Sequence, residues 1–331
     1  MAEGEFDLIN HYFATSKQPS RSDVILSIGD DCAITQLKPN QRLAITTDTM
    51  VENSHFYPDI PPRALGYKAI ATNLSDLAAM GARPAWVSLA LTLPKIDTYW
   101  LSEFSQGMFD ILNQYNVTLI GGDTTKGPIP TITITAHGIL GDYALRRDQA
   151  KVEDWIYVTG QLGDALAGFY LSRDRQQGRK SAVANQENFF IQRNLYPVPR
   201  VEFGQVLAQH YLANAAMDLS DGLMGDLMHI LERSHKSAVL NLENLPISPQ
   251  LEAYYGREEA ERMALQGGED YELCFTVSDE QQAKLEQYLT PLNVPYTCIG
   301  RIIQQNSLQP IQLQRYNQKI ELDIQSFDHF K

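Results

Sequence analysis

The chain has 331 residues, 44% of them hydrophobic and 20% charged, an ordinary globular composition long enough that two hydrophobic cores are expected. A formal net charge of -13 excludes nonspecific binding to nucleic acid or to an anionic membrane surface. It leaves room for a nucleotide whose phosphates are carried by metal ions. No apolar run is long enough to span a bilayer, and the acidic start of the chain lacks the basic and apolar regions of a signal peptide. Three cysteines, Cys32, Cys274 and Cys298, without CxxC spacing, suit a reducing compartment and give no zinc signature, so a cytoplasmic protein is expected.

In chain order, Arg42 to Thr47 reads as a short strand ending in polar groups. Arg63 to Met80 reads as a helix introduced by Pro61-Pro62 and closed by Gly81, with Pro84 beyond. Trp86 to Leu93 is an apolar strand. Leu101, Phe104, Met108, Ile111, Leu112 and Tyr115 recur at helical spacing and form a core-facing stripe. Val117 to Ile120 is a strand ending at Gly121-Gly122-Asp123, and Thr131 to Ile139 alternates as a half-exposed strand does. The charged stretch Arg147 to Asp154 marks a boundary, giving an α/β domain over 1–150 and a second over 151–331. Trp155 to Thr159 opens the second half as a strand. Arg173 to Glu187 is polar and reads as a surface loop or frayed helix. Helices are expected near Leu223 to Glu232 and Glu280 to Leu289, and strands near Ala238 to Leu242 and Tyr271 to Val277.

Seven aspartates fall in five short clusters, namely Gly29-Asp30-Asp31, Thr46-Thr47-Asp48, Asn73-Leu74-Ser75-Asp76, Gly121-Gly122-Asp123 and Asp218-Leu219-Ser220-Asp221-Gly222. Each alone has a plainer reading. Gly29-Asp30-Asp31 can be a self-bonded turn, Asp76 a solvent-facing helix position, and Ser220 or Asp221 a helix cap. Gly121-Gly122 can be an ordinary turn, and a lone histidine such as His55 is more often packed or exposed than a ligand. Together they ask for compensating charge, because gathered carboxylates are costly unless paired. Hard divalent cations take oxygen ligands, and magnesium commonly joins carboxylates to substrate phosphates. The chain has no GxxxxGK[ST] loop, kinase signature set, GxSxG elbow or HExxH, so metal ions must do most of the neutralising of a bound nucleotide.

The ordered set resembles the thiamine-monophosphate kinase family, within the aminoimidazole ribonucleotide synthetase superfamily. It comprises Gly4-Glu5-Phe6, Gly29-Asp30-Asp31-Cys32-Ala33, Thr47-Asp48 with His55-Phe56, Asn73 to Ala82, Gly121-Gly122-Asp123-Thr124, Asp218 to Leu223, Gly267 to Leu273, and Phe327-Asp328-His329-Phe330. The resemblance implies a two-domain α/β fold and a homodimer pairing through the N-terminal sheets. It implies that Asp31, Thr46, Thr47, Asp48, Asp76, Asp123, Asp218 and Asp221 serve several Mg2+ ions. Gly122, Asp123, Arg147 and Ser220 would lie at ATP, and His55, Glu269 and Phe327 would contact thiamine monophosphate. Asp30 takes a supporting role. Asn53 stands where a glycine is common, and Phe327 replaces a frequent tyrosine or tryptophan, keeping the ring face and losing the polar tip.

The implied reaction moves the γ-phosphoryl group of ATP onto the acceptor phosphate. That phosphate is largely a dianion near neutral pH, its second pKa being about 6, so no general base or catalytic side chain is required. Selenophosphate synthetase or aminoimidazole ribonucleotide synthetase is the nearest competing reading, although no cysteine precedes Cys32 as the former would require. A noncatalytic magnesium–nucleotide binding protein is the alternative from a different class.

Overall fold

The computed structural model describes residues 8–14, 18–179 and 185–322, so the motifs at Gly4-Glu5-Phe6 and around Phe327 lie outside the described residues. The chain divides into two compact units, Met1–Leu77 with Ala82–Asp142, and Ala78–Gly81 with Tyr143–Lys331.

The first unit contains β1 (Val24–Leu26), β2 (Ile34–Thr35), β3 (Arg42–Val51), α1 (Pro62–Ala79), β4 (Arg83–Leu93), α2 (Thr98–Gln114), β5 (Thr118–Lys126) and β6 (Thr131–Leu140). Strands β1 and β2 pair with each other, and the remaining four form a sheet of order β3-β6-β4-β5. Strand β6 runs antiparallel to both neighbours, whereas β4 and β5 are parallel, as the α2 crossover between them requires. The Asp97 carboxylate caps α2 by accepting from the Trp100 amide at 3.0 Å, and the Leu101, Phe104, Met108, Ile111 and Leu112 stripe is buried. Helix α1 is buried on most of its circumference, with Leu65, Ala69, Ile70, Ala71, Leu74 and Ala78 all sealed from solvent. An Ala-rich helix suits that place because small side chains let neighbours approach from every side.

Two sequence expectations shift here. Strand β3 does not stop at Thr47 but runs to Val51, hydrogen-bonded to β6 along its length. Gly121-Gly122-Asp123 is not a turn: it lies inside β5, with Gly122 opposite Leu89 and Asp123 opposite Ala90. Ladder pairing outweighs the local glycine signal. Gly122 is required because a Cβ there would stand 1.8 Å from the Leu89 carbonyl, and its φ of 154° is open chiefly to glycine.

The second unit contains β7 (Trp155–Thr159), α3 (Asp164–Gln176), α4 (Asn185–Leu195), α5 (Val201–Gln209), β8 (Ala215–Asp218), α6 (Leu223–Ser234), β9 (Ser237–Asn241), α7 (Pro249–Tyr255), α8 (Arg257–Gln266), β10 (Leu273–Val277), α9 (Asp279–Leu289), β11 (Tyr296–Ile303), β12 (Ile311–Arg315) and β13 (Gln318–Ile320). Its seven strands take the order β13-β12-β9-β11-β7-β10-β8, antiparallel except for β9 with β12. Ile156, Val158, Leu227, Ile230, Leu240, Cys274, Ile299 and Ile302 form the centre of its core. The polar stretch from Arg173 to Glu187, expected as a surface loop or frayed helix, is helical at both of its described ends. Helix α3 continues to Gln176 and α4 opens at Asn185, because Ala165, Ala167, Gly168 and Leu171 are buried on the inner side of α3. Tertiary burial thus overrides a hydrophilic sequence.

Candidate active site

In the first unit, alternation along β3 sorts the acidic cluster by face. Thr46, Asp48 and Met50 are the more buried row, while Leu43, Ile45, Thr47 and Thr49 are exposed. The Thr46 hydroxyl donates to Asp76 Oδ2 at 2.5 Å, so the row carrying Asp48 lies on the α1 side. Asp76 is therefore not an ordinary solvent-facing helix residue. Thr47 points the other way and meets the Thr135 hydroxyl at 3.0 Å, with Thr49 and Thr133 paired beside it at 2.9 Å.

Asp31 is exposed, and its amide donates to Asp30 Oδ1 at 2.8 Å. Asp30 thus makes the self-bonded turn and Asp31 is the carboxylate presented outward. Asp123 is exposed on β5, at the opposite edge of the sheet from β3. Three strand spacings separate those edges, roughly 14 Å, too far for Asp48 and Asp123 of one chain to share an ion. Among the described residues, no group of three or more His, Cys, Asp or Glu side chains is close enough to hold a metal. One chain brings Thr46 to Asp76, with Asp48 next on the same row, and leaves Asp123 across the sheet.

His55 closes the turn after β3. The Val51 amide donates to its Nδ1 at 3.1 Å, which fixes the neutral ring with its proton on Nε2. Asn53 has a φ of 66°, a left-handed conformation that asparagine tolerates well, so the departure from glycine costs the turn little.

In the second unit, the Asp218–Gly222 loop joins β8 to α6. Neither Ser220 nor Asp221 caps the helix: Gly222 stands at the cap, with a φ of 106° and no side chain to bond. Asp226, from the first turn of α6, reaches back instead, and its Oδ2 accepts the Asp221 amide at 3.0 Å. Asp226 is completely buried and its Oδ1 has no partner among the described residues. Burial pushes its carboxyl up to about 7; the Asp221 charge adds to the rise, while the Ser220 and Asp221 amides and Arg147 oppose it. Arg147 is exposed on the short turn before β7, its backbone carbonyl held by Ser234 at 2.8 Å. Arg147, Ser220, Asp221 and Asp226 therefore form one neighbourhood.

That loop is zipped to the Gly267–Glu272 turn. The amides of Glu269 and Tyr271 donate to the carbonyls of Ser220 and Leu219 at 2.8 and 2.9 Å, and the Leu219 amide donates to the Glu272 carbonyl at 2.8 Å. Asp218 is buried beside them, opposite Leu273 in the sheet. Ser220, expected at the nucleotide, and Glu269, expected at the acceptor, thus sit on two loops that share a backbone ladder. Asp226 carried a weak signal, an acid in a helix first turn, where the dipole favours it. Asn194 and Arg200, which hold the acidic turn, carried none, because nothing in the sequence announces a partner some seventy residues away.

The donors fit magnesium. They are carboxylate and hydroxyl oxygens without thiolates, and the orphaned buried oxygen of Asp226 lies next to Asp221, where a cation would offset it.

Family models agree with this architecture. Residues 29–140 match the AIR synthase related protein N-terminal domain, and residues 151–311 match the C-terminal domain. The thiamine-monophosphate kinase of Haemophilus influenzae is 52% identical over 100% of this chain and 99% of its own length. Among solved structures, the thiamine-monophosphate kinase of Stenotrophomonas maltophilia superposes with a TM-score of 0.80 at 42% identity, covering 88% of this chain and 92% of that one. AaThiL complexed with AMPPCP and TMP superposes with a TM-score of 0.74 at 31% identity, covering 96% of each chain. The chain is an enzyme of the AIR synthase related fold, and it belongs to the thiamine-monophosphate kinase family.

Proposed function

We propose that the protein transfers the γ-phosphoryl group of ATP to thiamine monophosphate, giving thiamine diphosphate and ADP, in a single in-line step within thiamine diphosphate biosynthesis in the cytoplasm. The observation that carries this reading is the full-length relationship to AaThiL, a structure holding both an ATP analogue and TMP. The acceptor phosphate dianion is its own nucleophile, so no side chain must take a proton. Bound Mg2+ would supply charge neutralisation between two polyanions and stabilise the transferring group.

The protein's task is then positioning. Thr46, Asp48 and Asp76 would hold ions at one sheet edge, and Asp31 would offer its carboxylate from an exposed turn. Asp218 and Asp221 would hold further ions, and Ser220 would face the nucleotide with Arg147, whose guanidinium suits a phosphate. Gly122 allows close approach of backbone at the second edge, beside Asp123. His55 and Glu269 would contact thiamine monophosphate, as would Phe327, which lies outside the described residues.

The separation of Asp48 from Asp123 supports a homodimer. Two such sheets closed about a two-fold axis along their strands place β3 of one copy beside β5 of the other. Asp48 and the partner's Asp123 then lie on adjacent strands at nearly the same height, so that each site would draw on both chains. The exposed row of Leu43 and Ile45, the latter 60% exposed, is the apolar face such closure would cover. The test is ADP release from Mg-ATP with and without thiamine monophosphate. Release that depends on the acceptor and yields thiamine diphosphate supports the reading. ADP release indifferent to the acceptor, or nucleotide binding without turnover, rejects it.

A further inference from the structure

The Glu269–Glu272 turn is held far more firmly than a substrate-contacting loop requires for folding alone. Glu269 and Tyr271 both adopt left-handed backbone, with φ of 71° and 50°, an uncommon state for such side chains that persists only where surroundings impose it. Each acid in the turn is gripped from outside the turn. The Glu272 carboxylate, 1% exposed, accepts from Nε and Nη2 of Arg200 at 2.6 and 2.5 Å and from the Thr159 hydroxyl at 2.6 Å. Arg193 reaches it at 3.5 Å. The buried Asp270 accepts the amides of Gly163 and Ala165 at 2.7 and 3.2 Å. Glu269, only partly buried, accepts from Asn194 Nδ2 at 2.6 Å.

Asn194 is itself fixed. It is buried on α4, and α4 lies so close to α3 that a Cβ on Gly168 would stand 2.1 Å from the Phe190 carbonyl and 2.9 Å from the Asn194 Cβ. The amide therefore reaches Glu269 from a helix with little freedom to move. A short bond to an ionised acceptor is among the stronger kinds and fixes the rotation of the carboxylate.

The chemistry of the ligand decides what that orientation is for. A carboxylate is repelled by the phosphate end of the acceptor and drawn towards the cationic thiazolium and the pyrimidine beyond it. There the exocyclic amine of the pyrimidine is an N–H donor, whereas the thiazolium has no N–H to give. We propose that Asn194 is a positioning residue that aims the Glu269 carboxylate at the pyrimidine amine and so sets selectivity for an amine-bearing acceptor. This rests on the functional reading above.

The test compares wild type with Asn194→Ala and Asn194→Asp. Measurements are KM for thiamine monophosphate, KM for ATP, kcat, melting temperature, and activity on an acceptor whose pyrimidine amine is replaced by a carbonyl oxygen. Losing a hydrogen bond to a charged group predicts that Asn194→Ala raises the acceptor KM about 10-fold or more, with the KM for ATP within about twofold. Its preference for the amine over the carbonyl acceptor should shrink, with melting essentially unchanged. Asn194→Asp puts a second carboxyl against Glu269, and the pH profile of kcat/KM for the acceptor should gain an ionisation that wild type lacks. An unchanged acceptor KM with unchanged selectivity overturns the inference, as does a parallel rise in both KM values with a lower melting temperature. If wild type does not use thiamine monophosphate at all, the functional reading falls and takes this inference with it. If wild type is active and the variants match it, only the inference falls.

Discussion

The acids of the two units live in opposite circumstances. In the first unit Asp31 and Asp123 are exposed, Asp48 and Asp76 half-buried, and the carboxylates are spread across both edges of a four-stranded sheet. In the second unit Asp164, Asp270 and Glu272 are buried, and amides, hydroxyls or guanidinium groups bond to them. The first arrangement is an incomplete ligand set that gains its meaning from what binds to it. The second is a finished scaffold. Substitutions in the first should therefore cost activity with little stability, and those in the second should cost stability or geometry.

The largest expected effect is on turnover. Asp48→Ala or Asp76→Ala should lower kcat by about 1,000-fold or more, since each removes metal-held charge stabilisation worth several kcal/mol. The far-ultraviolet circular dichroism should be unchanged. Near-normal turnover would remove these residues from the site. The next largest is on folding. Arg200→Ala strands the buried Glu272 carboxylate, and breaking such a pair costs about 3–5 kcal/mol, readable as a lower urea midpoint. A midpoint equal to wild type would show that Thr159 and Arg193 suffice.

Smaller effects sharpen the contrast within the second unit. Asp226→Leu releases the Asp221 amide it now holds, and the KM for ATP should rise about 10-fold, more than the KM for the acceptor. Equal changes in both would mean that the loop and the acidic turn move as one body. Asp270 gives a pH signature. Burial pushes its carboxyl from 3.8 up to about 8, so the folded chain keeps a proton there that the unfolded chain gives up across that window. Its contribution to stability therefore falls as pH rises from about 4 to about 8 and is flat outside that range. Unfolding free energy of Asp270→Asn should vary less with pH over that span. An identical pH dependence in both proteins would contradict the shift.

The sequence was informative where pattern and chemistry are local. The α2 stripe, the Pro61-Pro62 start of α1 and the alternation of β6 all appear as periodicity or punctuation. The aspartate clusters were legible because acids beside glycine and hydroxyl residues are rare next to apolar segments. Illegible features were those decided at a distance. Gly121-Gly122-Asp123 reads as a turn until β4 pairs with it, and the polar end of α3 reads as a loop until α4 is in place. The edge-to-edge separation of Asp48 and Asp123 depends on strand order, which no local pattern encodes.

Mixing two inactive variants, Asp48→Ala and Asp123→Ala, tests most directly whether the acids of the two sheet edges work across a dimer. If each site takes Asp48 from one chain and Asp123 from the other, a mixed dimer holds one doubly defective site and one intact site. Subunit exchange at equal concentrations should then recover about a quarter of wild-type activity, since half of the dimers are mixed and half of their sites are whole. Recovery to that level is what the account predicts. A mixture as inactive as its parents, after exchange has been verified by mass, would contradict it.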